Sequence, residues 1–174
     1  ARAAYLIEEP MAAALGANLP IDDPRGNMVV DIGGGTTEIA VISLGGIVIN
    51  KSIRIAGDRF DEAIVHYVRL KHSLLMGIPS AEAAKIAIGS AYLSSHEKHV
   101  VVRGRDLENG LPKSVKLSSS EIREALSAKI NDIIEAIDET VEEIPPELIG
   151  DVLEQGIALS GGGALIAGID KAIA

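Results

Sequence analysis

The segment Asp31-Ile32-Gly33-Gly34-Gly35-Thr36-Thr37 carries residue types suited to binding phosphate. Three successive glycines let backbone N–H groups approach an anion with no Cβ in the way, and the two hydroxyls beside them can donate further hydrogen bonds to phosphate oxygens. Asp31, at the end of an apolar run, is placed to hold Mg2+ through water or to orient an attacking water. A hairpin turn capped by an aspartate would need only one or two glycines, so the third points to a ligand. The segment lacks the lysine and the following helix of a nucleotide-binding P-loop, and no G-x-G-x-x-G occurs in the chain.

Three other groups invite a chemical reading. Glu8-Glu9-Pro10 sets two carboxylates at a predicted helix start, where they favour the dipole by about 0.3–1 kcal/mol. Glutamate is not a favoured N-cap, and a carboxylate at Glu9 could equally polarise a water for in-line attack on a terminal phosphate. Gly161-Gly162-Gly163, followed by Ala164, lies between a short strand and a predicted helix. Such a bend suits a phosphate, the close approach of a flat ring, or simply a compact turn. Glu82 and Lys85 stand three apart on a predicted helix and read, by themselves, as a solvated ion pair worth about 0.2–0.5 kcal/mol. The histidines at 66, 72, 96 and 99 show no zinc spacing and no readable Ser-His-Asp grouping.

The elements that must position these groups follow from periodicity. Tyr5-Leu6-Ile7 reads as a short strand, and a helix opens at Pro10 and closes at Gly16. Residues 28–32 form a continuous apolar run broken only by Asp31, the pattern of a strand buried on both faces. The β-branched residues Thr36, Thr37, Ile39, Val41 and Ile42 make the glycines turn strand into strand. Gly45-Gly46 then leads to Ile47, Ile49, Ile53 and Ile55, completing a three-stranded meander. From Asp58, an available N-cap, Phe60, Ile64 and Tyr67 or Val68 form a helical stripe, and a second helix is expected over residues 80–92. Val100 to Val102 and Val115 to Leu117 read as a hairpin. Ser118 and Glu121 form a capping box before a long helix with the stripe Ile122, Leu126, Ile130, Ile133, Ile137, Val141 and Ile144, ended by Pro145-Pro146. A short helix, a strand at Ile157-Ala158-Leu159 and a last helix after the second glycine triplet close the chain.

At 174 residues the chain is one domain or two small lobes, and with 47% hydrophobic but only 2% aromatic residues its core must be aliphatic. The scarcity of rings argues against a stacking platform for single-stranded nucleic acid. A net charge of −9, without a basic patch, argues against phosphate polymers and anionic membranes as partners. With no cysteine there is no disulfide or thiolate site, and the cytoplasm is the default compartment. Residues 39–49 fall far short of the roughly 20 apolar residues that span a bilayer. A start at Ala1 and a stop at Ala174 within a predicted helix suggest a piece of a longer protein.

The order of Glu-Pro helix, Asp-Ile-Gly-Gly-Gly-Thr-Thr hairpin and late Gly-Gly-Gly bend resembles the second half of the actin and sugar-kinase ATPase superfamily. Longer strings are more specific: LIEEPMAAA at residues 6–14, MVVDIGGGTTEIAVISLGG at 28–46, GDRFDEAI at 57–64, IGSAY at 88–92 and PPEL at 145–148 resemble the bacterial actin family MreB over essentially all 174 residues.

The resemblance implies an α/β, ribonuclease-H-like actin-fold lobe, a mixed sheet flanked by helices, built from residues 1–57 and 133–174. A smaller α+β subdomain is inserted at about 58–132. It implies ATP or ADP with Mg2+ as cofactors, self-association into filaments, and partnership with membrane-bound cell-shape regulators and the cell-wall synthesis machinery. The place of work would be the cytoplasm, at the inner face of the membrane of rod-shaped cells.

Matched position by position, Asp31 and Gly33, Gly34, Gly35, Thr36 and Thr37 correspond to the second phosphate segment. Gly161, Gly162, Gly163 and Ala164 correspond to the adenosine segment, Glu9 to the carboxylate that orients the hydrolytic water, and Glu82 and Lys85 to a Glu-x-x-Lys at the nucleoside. The chain departs from the family at Ala87, where an acidic residue is common. The family's first phosphate loop, an Asp-Leu-Gly-Thr string, and its membrane-inserting segment do not occur, so membrane contact would come only through the missing lobe. These residues alone would then hydrolyse ATP negligibly, the full protein slowly. Two rival readings are the ATPase lobe of a heat-shock-type chaperone or related kinase, which shares these motifs, and a non-catalytic interaction module.

Overall fold

A computed structural model describes residues 2–93 and 95–174. Three strands, β1 (Asn27–Ile32), β2 (Thr37–Ser43) and β3 (Gly46–Ile53), form the meander. Leu44 and Gly45 both adopt positive φ in the two-residue turn that joins the last two strands. Strand β7 (Ile157–Ser160) lies parallel to β1, giving the order β3-β2-β1-β7. Side chains of β1 alternate between two apolar layers. Val29 meets Ala14 of helix α1 (Glu9–Gly16), together with Ala40 and Ile42, while Met28, Val30 and Ile32 join the larger core on the opposite face.

That larger core is roofed by α2 (Gly57–His72) and α4 (Ser119–Glu142), with α5 (Pro146–Gln155) at the edge. It runs without interruption into a second sheet of order β4-β5-β6, made of β4 (Leu74–Leu75), β5 (His99–Asp106) and β6 (Pro112–Ser118), and into α3 (Ile78–Ile88). The Ser118–Glu121 capping box forms as the sequence predicts, and Ile122, Leu126, Ile130, Ile133 and Ile137 of the α4 stripe are buried. The chain ends in a single 3₁₀ turn, Gly163–Leu165, and the short helix α6 (Ile169–Ile173).

Several local expectations are corrected. Tyr5-Leu6-Ile7 forms no strand: all three side chains are exposed, and apolar character alone makes no ladder without a neighbouring strand. Asp58 does not cap α2. The N-cap is Ala56, and the first amides of the helix are satisfied by carbonyls of the glycine hairpin instead. Helix α3 stops at Ile88 rather than at residue 92, because the chain turns extended at Gly89 while its N–H still bonds the Lys85 carbonyl at 2.7 Å. Helix α4 ends at Glu142, before the proline pair; Ile144 is buried beyond its end, and Pro146 opens α5. The second glycine triplet leads into the 3₁₀ turn, not directly into a helix, so no helix dipole points at it.

Candidate functional site

Both glycine triplets emerge at the carboxyl ends of the parallel pair β1 and β7, the place where open α/β sheets present ligand crevices. A cavity of about 230 Å3 lies there, lined by Gly33, Gly34, Gly57, Asp58, Asp61, Glu82, Lys85, Ile86, Gly162 and Gly163. A second, of about 430 Å3, adjoins it through Lys85, Ile86 and Gly162, and extends to Ala87 and Leu165. Ile86 and Leu165 are 76% and 87% exposed, so this extension offers bare apolar surface to a flat ring. A larger concavity of about 900 Å3 between α2 and α4 touches neither triplet.

The hairpin is fixed by its own hydrogen bonds. Gly33 N–H donates to the Thr36 carbonyl at 3.0 Å, so it is not available to an anion. The Gly33 and Gly34 carbonyls accept from Gly57 N–H (3.1 Å) and Asp58 N–H (2.8 Å), which ties the hairpin to the start of α2. Thr37 is buried, and its hydroxyl donates to the Ile55 carbonyl at 2.6 Å, so it too is spent on the fold rather than offered to phosphate. Thr36 stays half-buried.

Space decides which glycines face a ligand. A Cβ at Gly34 would approach nothing nearer than Asp58 Oδ1 at 3.9 Å, and one at Gly35 or Gly162 would meet nothing within 4 Å. The protein's own packing therefore gives no reason for those positions to be bare. Gly34 and Gly162 line the cavity, so a ligand pressed against backbone is what a side chain there would obstruct. For a metal, no cluster of three or more acidic or histidine side chains exists among the described residues.

Lys85 does not pair with Glu82 as its spacing predicts. Its ammonium sits 2.9 Å from Asp61 Oδ1, by ion pairing rather than a well-aligned hydrogen bond, and donates to the Gly57 carbonyl at 3.0 Å. The Asp61 side chain is 4% exposed and that of Lys85 12%. Burial pushes the Asp61 carboxyl up from its ordinary value, with Lys85 pulling it down and Glu82 and Asp58 adding to the rise. Asp61 went unread in the sequence, although an acid three before Ile64 and seven before Val68 stands on the apolar stripe of α2, which is the signal that marks it.

The cavity thus unites Gly33, Gly34, Glu82, Lys85, Gly162 and Gly163, and adds Gly57, Asp58, Asp61 and Ile86. Glu9 is exposed at the first position of α1, and Asp31, half-buried, falls on the α1 side of β1. Both stand outside the cavity lining, as do Gly35, Thr36, Thr37, Gly161 and Ala164, the last within the 3₁₀ turn.

A family model described as MreB/Mbl protein matches residues 1–174. The chain belongs to the MreB/Mbl family. It is 52% identical over 171 residues to the cell shape-determining protein MreB of Escherichia coli (strain K12), covering 98% of this chain and 49% of that protein. Over 170 residues it is 45% identical to the cell shape-determining protein Mbl of Bacillus subtilis (strain 168), covering 98% and 51%. The chain therefore spans about half the length of the curated relatives it matches. Among solved structures it resembles MreB5 of Spiroplasma citri bound to AMPPNP, with a TM-score of 0.91 at 45% identity over 94% of this chain and 49% of the other. It also resembles the MamK double helical filament, with a TM-score of 0.75 at 27% identity over 95% and 49%. Membership of the MreB/Mbl family establishes the actin fold and sets aside the chaperone and kinase reading.

Proposed function

We propose that this chain is the nucleotide-cradling second lobe of an ATP-binding, filament-forming bacterial actin that maintains rod shape by organising cell-wall synthesis. The observation that carries the proposal is the pair Gly34 and Gly162, whose missing side chains leave open space on the cavity and are not required by the fold. The S. citri relative binds AMPPNP and, in a second structure, ADP. The MamK relative forms a filament. On this reading residues 1–57 and 133–174 make the ribonuclease-H-like part and residues 58–132 the inserted part.

In that role the Gly34 and Gly35 amides and the Thr36 hydroxyl grip the phosphates, and Ile86, Ala87 and Leu165 bracket the base. Glu82 and Lys85 meet the nucleoside. Glu9 orients a water that attacks the terminal phosphorus, breaking its bond to the bridging oxygen and yielding ADP and phosphate. Mg2+, met by Asp31 through water, supplies neutralisation of phosphate charge when bound. Half of a two-lobed clamp holds nucleotide weakly, so hydrolysis belongs to the full-length protein in the cytoplasm, at the inner face of the membrane. Its partners there are further copies, membrane-bound shape regulators and the cell-wall machinery.

The test is ATP binding and phosphate release by the full-length protein. Glu9→Ala should keep binding and lose hydrolysis, whereas unchanged hydrolysis would remove the catalytic role of Glu9 and leave this lobe a binding role alone. Robust turnover by these 174 residues alone would contradict the divided clamp.

A further inference from the structure

We propose that Asp61 is a positioning residue for nucleotide binding: through its ion pair with Lys85 it fastens helix α3, on the nucleoside side of the cleft, to the glycine hairpin on the phosphate side. The proposal rests on the nucleotide reading of the cavity and adds a residue to which the sequence motifs assign no role.

The path is continuous. Asp61 on α2 meets the Lys85 ammonium on α3 at 2.9 Å. The same ammonium donates to the Gly57 carbonyl at 3.0 Å, and Gly57 N–H donates to the Gly33 carbonyl at 3.1 Å. A second strap, Asp58 N–H to the Gly34 carbonyl at 2.8 Å, runs beside it. Lys85, Gly57, Gly33 and Gly34 all line the cavity, so every link borders the space a ligand would fill.

The pair is poorly explained as a device for stability. Two charges withdrawn from water gain little over an apolar pair of the same volume. Helices α2 and α3 already have apolar contact available through Phe60, Ile64, Ala81 and Ala84 in one core. What an apolar pair could not do is hold the Gly57 carbonyl and leave a third ammonium proton facing the cavity. The other charged groups around Asp61 are Glu82 on α3 and Asp58 on α2, both acidic, so Lys85 is its one cationic partner among the described residues.

The experiment uses the full-length protein with D61N, K85M and the double variant D61N/K85M, reading ATP affinity by calorimetry and the unfolding midpoint without nucleotide. Removing one partner leaves a charge or amide stranded, so the single variants should lose stability as well as affinity. The double variant should recover only part of the midpoint, because the amide introduced at position 61 and the Gly57 carbonyl both remain without the ammonium. D61N, which keeps the Lys85 ammonium, should bind ATP about tenfold more weakly than wild type, with KM for ATP raised and kcat retained. The two affinity losses should not add, because both break the same fastening. A D61N variant that binds ATP as wild type does would overturn the proposal and leave Asp61 a packing feature. If Gly162→Val also leaves ATP binding intact, the site assignment itself is what fails; if Gly162→Val abolishes binding while D61N does not, only the role of Asp61 falls.

Discussion

At Gly161 a Cβ would lie 2.3 Å from the Ile32 carbonyl oxygen and 2.5 Å from Asp31 Oδ1, and at Gly163 it would lie 2.2 Å from Ile32 Cγ2. At Gly34 and Gly35, in the other triplet, the nearest contact is 3.9 Å or absent. The two bends share one composition and differ in what keeps them bare. The late triplet is glycine mainly because β1 presses against it and because Gly161 takes φ +84°, with Gly162 alone facing open space. The early triplet faces open space at two of its positions. A glycine run is therefore weak evidence for a ligand until the room around each Cα is known, and here that room divides glycines the fold requires from glycines it does not.

The sharpest way to break this contrast is Gly161→Ala in the full-length protein. Backbone overlap and a left-handed φ each cost about 1–3 kcal/mol, so urea unfolding should shift to markedly lower denaturant. Gly163→Ala, which collides chiefly with the buried Ile32 side chain and crowds its carbonyl oxygen at 3.1 Å, should lose about 1–3 kcal/mol. Gly34→Val and Gly162→Val should do the reverse, unfolding close to wild type while ATP affinity falls about tenfold to a hundredfold as the side chain occupies ligand space. Equal stability losses at Gly162 and Gly163 would erase the distinction.

A smaller effect separates the two threonines of the hairpin. Thr37→Val removes the buried donor to the half-buried Ile55 carbonyl and should cost about 1–3 kcal/mol in unfolding with little change in ATP affinity. Thr36→Val should show affinity loss without the stability loss.

The weakest expectation concerns acid. Glu121 is held below its ordinary value: burial pushes it up, but the Ser118 backbone N–H and His72, 2.8 Å away, outweigh that. Its contribution to stability is present above the ordinary glutamate range and lost as pH falls through the lowered folded value. Asp61, raised by burial, has the opposite sign, its contribution being lost as pH rises through the raised value. Because Glu121 sits at the start of α4, away from both triplets, unfolding of wild type and Gly162→Val should lose stability in parallel below that range.

Local signals were readable in the sequence. The Ser118–Glu121 box, the four- and three-residue steps of the α4 isoleucines and the meander around Gly45 all depend on near neighbours, and all form. What escaped depends on distant partners. Thr37 looks free to bind phosphate until Ile55 comes within reach of it, and Asp58 looks like a cap until the hairpin carbonyls take its place. Lys85 illustrates the point most plainly: Glu82 is three residues away along the chain, yet the partner it meets is Asp61, brought across from another helix. Glu9 and Asp31 stand outside the cavity lining.

Helix α2 has no side-chain cap of its own and hangs at its first residues from the glycine hairpin, while its far end runs through Ser73 into the second sheet. Sixteen residues make a rod about 24 Å long, so a swing of about 10° at the glycine joint carries His72 about 4 Å. The bend proposed to meet a phosphate is thus also the joint of a long arm, and small changes at one end would arrive magnified at the other.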